Sequence, residues 1–311
     1  MTNRVNPGMM LKNEYEIMEH STTLTAHAKV NLMLHVTGKT SDGYHNLQSV
    51  FAFTEFGDEI FIKPAAETAI TFEGKFSNHV ISGQDSISQA VSWYFWHTGV
   101  LQRHYKVMVR KNIPVAAGLG GGTSDAAVIL AWLFRGDYPE ASETETWKFI
   151  EDSGRLGADV PVSLAFHLGL GRLFWVEGSG REGSCTPLNV QGLARQFILV
   201  NPGVPLSTAD VFSALGDRFD PPIERPKILT QNFLQHTRNI LQGPALKLVP
   251  EIAKLYFMFM LDQSFSYFRL SGSGASSFVV YRDRRLADAM AEKLATNNRG
   301  WWIQRTEILC A

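Results

Sequence analysis

Cysteine is scarce in this chain of 311 residues, which has only Cys185 and Cys310. The two are far apart in the sequence, and neither belongs to a CxxC or other metal-type spacing. This usage argues against a disulfide framework and against a cysteine-based metal site. It fits a reducing compartment, so we expect a cytoplasmic protein.

Long apolar runs and an excess of charge of one sign are also lacking. No stretch reaches the length needed to span a bilayer, and the formal net charge is -1. We therefore expect neither a membrane protein nor a partner of nucleic acid. Residues 1–24 lack the apolar core of a secretory signal. We expect them to form a disordered extension, or to precede the true start of the chain. Nothing in the sequence indicates an oligomeric state.

Strand and helix patterns follow one another irregularly along the chain. Alternation of apolar and polar residues predicts strands over residues 25–37, 47–56, 58–63, 69–72, 105–111, 172–177, 197–200, 265–270, 276–281 and 301–309. Helical spacing predicts helices over residues 86–97, 125–134, 147–155, 160–167, 208–215, 244–261 and 286–295. Because there is no regular βαβ alternation, we predict an α+β fold. A weakly marked boundary divides an N-terminal domain, residues 25–175, from a C-terminal domain, residues 176–311.

The most distinctive segment is glycine-rich: residues 114–127, PVAAGLGGGTSDAA, follow a predicted strand and open a predicted helix. Glycine lets backbone N–H groups approach a ligand closely, and a helix start adds unpaired N–H groups and a positive dipole end. Together they predict a cradle for a triphosphate. Thr123 and Ser124 add hydroxyl donors or a magnesium contact. No lysine precedes Thr123, so this is not a Walker A loop. A tight turn without a ligand is the alternative.

This segment resembles the second motif of the GHMP kinases (galacto-, homoserine-, mevalonate- and phosphomevalonate kinases). Its triple glycine followed by Thr-Ser-Asp-Ala-Ala is similar in particular to the kinases that act on a cytidine-diphosphate derivative of methylerythritol. The resemblance implies a two-domain fold with the active site in the interdomain cleft, ATP as phosphoryl donor, and Mg²⁺. No protein ligand for magnesium is predicted. The implied ATP-binding residues are Pro114, Gly118, Leu119, Gly120, Gly121, Gly122, Thr123 and Ser124.

The first predicted strand carries Lys29 and Asn31 on its polar face, and an Asp-Gly-Tyr-His turn follows at residues 42–45. Taken alone, Lys29 is typical of an exposed strand. The same kinases carry Ala-Lys-(Val/Leu)-Asn-Leu and then Asp-Gly-Tyr-His at this spacing. The resemblance therefore implies that Lys29 lies at the phosphoryl-transfer centre and that Asn31 binds near the reacting end of the substrate. It also implies that Tyr44 and His45 line a cytidine pocket.

Asp159 is the candidate catalytic base. It stands in Gly-Ala-Asp-Val-Pro, residues 157–161, just before an apolar helix. Taken alone, this pattern indicates a helix N-cap with Pro161 in the first turn. In the family this segment is a signature, and the resemblance implies that Asp159 takes the proton of the acceptor hydroxyl, which requires close placement.

The C-terminal half contains a second glycine loop, residues 270–276, which resembles the third motif of the family and would close over the phosphates. Thr208 and Phe212 open a predicted helix. Helix capping alone would account for a hydroxyl at Thr208. The resemblance implies instead that Thr208 approaches the substrate. It also implies that Phe212 packs on the cytosine opposite Tyr44. One departure concerns residues 238–240, Arg-Asn-Ile, where the family often has Asn-Asp followed by Leu or Phe. A carboxylate is missing there.

Two other functions compete with a kinase for a cytidine-diphosphate substrate. A mevalonate-type or homoserine-type GHMP kinase would have no use for the cytosine pocket at residues 42–45. A nucleotide-binding sensor without catalysis would have no use for Lys29 and Asp159, and both are intact.

Overall fold

The computed structural model describes residues 21–41, 43–81, 83–179, 183–260 and 264–310. Most of the expected extension lies outside these residues, but the first strand already begins at Thr22. The strands are β1 (Thr22–Lys39), β2 (His45–Pro64), β3 (Ala69–Glu73), β4 (Tyr105–Arg110), β5 (Leu173–Gly178), β6 (Gly183–Pro187), β7 (Asn189–Gln191), β8 (Gln196–Asn201), β9 (Ile228–Thr230), β10 (Tyr267–Leu270), β11 (Ser277–Tyr281) and β12 (Trp302–Glu307). The helices are α1 (Ser86–Thr98), α2 (Gly121–Asp137), α3 (Glu143–Asp152), α4 (Val160–His167), α5 (Thr208–Leu215), α6 (Gln231–Gln235), α7 (Gln242–Leu248), α8 (Pro250–Met260) and α9 (Arg284–Asn297).

The first sheet has the order β3-β4-β2-β5-β6, and β1 pairs with β2 as a long antiparallel hairpin. Helices α1, α2 and α4 bury their apolar sides together against β2 and β4. This packing holds the start of α2, and with it the glycine-rich loop, beside the strand β1 that carries Lys29. The α+β prediction is confirmed.

The second sheet has the order β10-β11-β8-β12. Its inner residues, among them Phe197 and Phe278, pack in one cluster with Val30 and Trp175 of the first sheet, while α8 and α9 cover its other face. The predicted domain boundary between residues 175 and 176 falls inside β5. Pairing of β5 with β2 and β6 carries the first sheet on to Pro187.

The prediction of two separate strands, residues 47–56 and 58–63, was wrong, because β2 runs through Gly57 without a break. Gly57 lies against β1 so closely that a Cβ atom there would be 2.4 Å from the carbonyl oxygen of Ala26. Glycine is needed here for strand packing. The neighbouring Asp58 is fully buried.

The prediction of one helix over residues 244–261 was also wrong. Helix α7 ends before Val249, which has an extended backbone (φ -129°), and α8 begins at Pro250. A residue before proline is disfavoured from the helical region, which separates the two helices. Helix α3 begins earlier than predicted, because Ser142 and Glu145 form a capping box. Strands β6, β7 and β9 and helix α6 were not predicted.

Candidate active site

The glycine-rich loop lies between two cavities. The first cavity, of about 450 Å³, is lined by Lys29, Asn31, Phe51, Asp159, Phe212 and residues of the second glycine loop. The second cavity, of about 520 Å³, is lined by residues before and in α1, by Lys111 and by the start of α2. Ala116, Gly118 and Gly120 line both cavities. A ligand in one cavity can therefore meet a ligand in the other across this loop.

The loop ends in an open helix start. Gly120 is the N-cap of α2 and has a left-handed backbone (φ 65°). The N–H of Ser124 donates to the carbonyl of Gly120 at 2.8 Å, so the N–H groups of Gly121, Gly122 and Thr123 precede the helical hydrogen-bond ladder. All three residues line the second cavity. This arrangement suits a polyanion such as a triphosphate.

The predicted loop residues do not all face a cavity. Pro114 and Thr123 line the second cavity. Leu119 is fully buried, and its carbonyl accepts the N–H of Lys29 at 2.9 Å. Ser124 is also fully buried, and its Oγ lies 3.1 Å from Nε2 of His167 at the end of α4. The hydroxyl of Ser124 therefore connects the end of the glycine-rich loop to helix α4.

Lys29 and Asp159 meet where the first cavity reaches the loop. Their Nζ and Oδ2 atoms are 2.9 Å apart. The Lys29 side chain is 5% exposed and that of Asp159 is 38% exposed. Lys29 also donates to Oδ1 of Asn31 at 3.1 Å, and its ammonium lies 4.5 Å from the centre of the Phe51 ring. The pair thus presents a fixed cation and a solvent-reachable carboxylate to the cavity.

The capping alternative for Asp159 is weakened by the geometry of α4. Asp159 occupies the N-cap position, but its side chain makes no capping hydrogen bond. An N-cap carboxylate normally accepts a backbone N–H of the first turn. Here Oδ2 pairs with Lys29 instead. The start of the helix therefore positions the carboxylate, but the carboxylate does not cap the helix.

Two serines that were not predicted hold Asn31 in place. The amide of Asn31 donates to Oγ of Ser49 at 2.9 Å, and its backbone N–H donates to Oγ of Ser271 at 3.3 Å. Ser271 in turn donates to the carbonyl of Gly118 at 2.8 Å. The second glycine loop is therefore bonded to both the glycine-rich loop and β1. Ser49 carries no sequence signal for such a contact, and Ser271 lies in the predicted second glycine loop but was not assigned this role.

The predicted cytidine residues are placed differently from one another. Phe212 lines the first cavity, and its ring packs on that of His45 with centroids 4.5 Å apart. Burial and the nearby Lys39 lower the pKa of His45. Tyr44 is 39% exposed, and neither Tyr44 nor His45 is among the residues lining the cavity. Thr208 lines the cavity, and its hydroxyl is 2.7 Å from that of Ser273.

The departure at residues 238–240 has a structural role. The amide of Asn239 donates to the carbonyls of Leu270 and Gly272 at 2.9 and 2.7 Å, which fixes one side of the second glycine loop. Arg238 pairs with the buried Asp220. Asp220 therefore supplies a carboxylate to this region from another part of the chain.

A buried charged cluster beneath the glycine-rich loop was not predicted. Asp58, Lys111 and Asp125 are each nearly inaccessible to solvent, and Lys111 pairs with both carboxylates. Lys111 precedes the recognised motif and Asp125 lies within it, but their sequence positions do not show that they meet.

The part of the chain that the structure describes contains no group of three or more His, Cys, Asp or Glu side chains arranged to hold a metal ion. It also contains no helix that is long and apolar enough to cross a membrane. Cys185 and Cys310 are both free thiols.

Comparison with known proteins identifies relatives of this chain. Residues 66–165 match the sequence model described as GHMP kinases N terminal domain. The chain is 35% identical to a 4-diphosphocytidyl-2-C-methyl-D-erythritol kinase from Mesorhizobium japonicum, over 93% of this chain and 96% of the relative. It is also 35% identical to the kinase of that name from Cereibacter sphaeroides, over 90% and 96%. A crystal structure of 4-(cytidine 5'-diphospho)-2C-methyl-D-erythritol kinase superposes with a TM-score of 0.69 at 27% identity, covering 92% of this chain and 99% of that one.

The fold and the sequence relatives place the chain among the small-molecule kinases of the GHMP superfamily, which transfer phosphate from ATP. Within that superfamily, the chain belongs to the 4-diphosphocytidyl-2-C-methyl-D-erythritol kinase family.

Proposed function

We propose that this chain transfers the γ-phosphoryl group of ATP to the 2-hydroxyl of 4-diphosphocytidyl-2-C-methyl-D-erythritol, a step of the non-mevalonate isoprenoid precursor pathway. The observation that carries the proposal is the Lys29–Asp159 pair, with Nζ and Oδ2 2.9 Å apart, where the first cavity meets the loop. The substrate is the one for which the relatives of this chain are named. The two free cysteines support a cytoplasmic location.

The two cavities divide the ligands between them in this proposal. ATP occupies the second cavity, with its phosphates on the N–H groups of Gly121, Gly122 and Thr123. The cytidine-diphosphate substrate occupies the first cavity. Its cytosine lies against Phe212 and His45, and its reacting end lies near Asn31. Tyr44 would have to turn toward Phe212 to complete the predicted aromatic sandwich.

The chemistry assigns one task to each charged group. Asp159 takes the proton of the acceptor hydroxyl as that oxygen attacks the γ-phosphorus. Lys29 faces the transferring phosphoryl oxygens, where a fixed cation stabilises developing charge. Most of the rate enhancement comes from positioning and electrostatics. Mg²⁺ bound with ATP would neutralise phosphate charge. The Thr123 hydroxyl, which lines the second cavity, would be its contact from the glycine-rich loop.

The test is a phosphorylation assay with ATP and two acceptors in parallel, the cytidine-diphosphate substrate and mevalonate. The wild-type chain should phosphorylate only the first. Asp159→Asn keeps the size of the side chain but cannot accept the proton, so kcat should fall by roughly 10² to 10⁴ with little change in either affinity.

Two results would contradict the proposal. Preferential turnover of mevalonate would overturn the substrate assignment. An Asp159→Asn variant that keeps activity within a few-fold would show that Asp159 is only part of the helix start.

A further inference from the structure

Three charged side chains, Asp58, Lys111 and Asp125, form a cluster beneath the glycine-rich loop, here called the lysine cluster. Lys111 Nζ lies 2.5 Å from Asp58 Oδ2 and 2.6 Å from Asp125 Oδ2. All three side chains are at most 3% exposed. Burying charges costs several kcal/mol per ion before pairing, so their place under this loop calls for an explanation.

The lysine cluster connects three separate parts of the chain. Asp58 belongs to the long strand β2. Lys111 directly follows β4, at the point where the chain enters the loop. Asp125 lies in the first turns of α2, at the point where the chain leaves the loop. The two ends of the loop are therefore tied to one ammonium group and, through it, to the sheet.

Asp58 holds the loop entrance by its second oxygen as well. Its Oδ1 accepts the N–H groups of Asn112 and Ile113 at 2.6 and 2.8 Å. Gly121 then packs directly above: a Cβ atom there would lie 3.2 Å from Ile113 and 3.5 Å from Asp58 Oδ2. The first N–H groups of α2 are thus positioned through contacts with the cluster.

The charge of the cluster does not balance within the protein. Two carboxylates share one ammonium, and Asp125 Oδ1 is buried without a hydrogen-bond partner among the described residues. Burial, opposed by Lys111 and assisted by Asp58, raises the pKa of Asp125 to about 7. Burial alone would lower the pKa of Lys111, but the two carboxylates raise it. A role in fold stability alone is a weak explanation, because apolar residues in place of buried ion pairs often stabilise a fold equally well.

We propose that Asp58, Lys111 and Asp125 are positioning residues for phosphoryl transfer, which fix both ends of the glycine-rich loop and thereby hold its N–H groups in the arrangement that binds ATP phosphates. The proposal rests on the proposed function, in which this loop is the phosphate cradle. Lys111 lines the second cavity, but its side chain is 3% exposed and paired with both carboxylates. Its proposed role is therefore exerted through the loop backbone, in contrast to a Walker lysine that touches the phosphates itself.

The main test compares Lys111→Met with Arg110→Met. Methionine keeps an unbranched side chain and removes the charge. Arg110 is the adjacent residue and also pairs with two carboxylates, Glu59 and Glu73, which lie in β2 and β3 and not at the loop. Both variants should lower the melting temperature. Only Lys111→Met should weaken the binding of ATP, by about ten-fold or more, which corresponds to 1.4 kcal/mol. The affinity for the cytidine-diphosphate substrate should stay within about two-fold.

Two further variants keep the test informative if Lys111→Met does not fold. The double variant Lys111→Met with Asp125→Leu removes both the cation and the surplus carboxylate, so it should fold and still bind ATP weakly. Asp125→Asn retains an oxygen acceptor for Lys111 and should bind ATP within about three-fold of wild type. A merely structural cluster would show ATP affinity that follows the melting temperature across all four variants.

The outcomes separate this inference from the proposed function. Gly120→Val places a branched side chain on a left-handed backbone (φ 65°) at the start of the cradle, with its Cβ atom 3.1 Å from the Lys29 side chain. It should therefore distort the cradle and abolish ATP binding in a folded protein. If Gly120→Val leaves ATP affinity unchanged, the cradle assignment fails. If Gly120→Val abolishes binding but folded lysine-cluster variants bind ATP like Arg110→Met, only the positioning role is overturned. An equal loss of affinity for both ligands in the Lys111→Met variant overturns the positioning role as well.

Discussion

Asp125 ties the stability of the protein to pH. Its pKa rises from an ordinary 3.8 to about 7 in the folded chain, chiefly through burial. The folded state therefore binds the proton more tightly than the unfolded state between these values. By linkage, the contribution of Asp125 to stability is fully present below about pH 4 and is lost as the pH rises through about 7.

Asp125→Asn should remove this dependence, because the amide does not titrate. The free energy of unfolding of the variant, relative to wild type, should increase by a few kcal/mol from pH 4 to 8. Urea unfolding of both proteins at several pH values measures the difference, in which contributions of the other titrating groups cancel. A difference that does not change with pH would mean that Asp125 stays charged throughout.

Single residues also show where prediction from sequence ends. The pattern around Asp159 left a helix cap and a catalytic base open, since both need a carboxylate at a helix start. The missing capping hydrogen bond and the contact with Lys29, which is distant in sequence, favour the base. The same limit hid Lys111, because a buried ion pair forms between side chains that no local periodicity connects.

At the scale of single elements, helix α5 offers the clearest test of the cytidine pocket. Phe212 should stack on the cytosine, and stacking of a base on an aromatic ring is worth roughly 1–3 kcal/mol. Phe212→Ala should therefore weaken the binding of the cytidine-diphosphate substrate by about ten-fold or more. ATP affinity should hardly change, because Phe212 lines only the first cavity.

The matched control is Val211→Ala, which truncates the adjacent and fully buried side chain of the same helix. It should lower the melting temperature without changing the affinity for one ligand more than the affinity for the other. If Phe212→Ala reduces both affinities in parallel with its melting temperature, Phe212 is a core residue and the pocket must be sought elsewhere.

Elements with strong local signals were predicted well. Helices α1, α4 and α5 have clear starts and apolar spacing, and their predicted bounds lie within a residue of those in the structure. The short strands β7 and β9 were missed, because they owe their conformation to pairing with each other. The break before Pro250 carried a local signal that was overlooked, since proline disfavours a helical residue before it.

For the whole molecule, the shared core between the two sheets predicts cooperative unfolding. Phe278 is fully buried in the second sheet, and it packs in one cluster with Val30 and Trp175 of the first sheet. The two halves should therefore unfold in one transition. Circular dichroism, tryptophan fluorescence and nucleotide binding should give coincident urea midpoints.

Phe278→Ala should lower the free energy of unfolding by about 3–5 kcal/mol and shift all three curves together. Separate midpoints, with nucleotide binding retained after the second sheet has unfolded, would instead identify two independent domains. The α+β class was predictable from the mixed order of elements. The joint core was not, because it depends on which sheet faces meet.

The wall that Ala116, Gly118 and Gly120 form between the two cavities has a thermodynamic consequence. In the proposed arrangement, nucleotide and acceptor touch opposite sides of the same few peptide groups, so whichever binds first sets the surface that the other meets. The factor by which bound ATP changes the affinity for the acceptor must equal the factor by which the acceptor changes the affinity for ATP. A compound built to occupy one cavity will therefore be weakened or strengthened by the occupant of the other, and its apparent potency will depend on that second concentration.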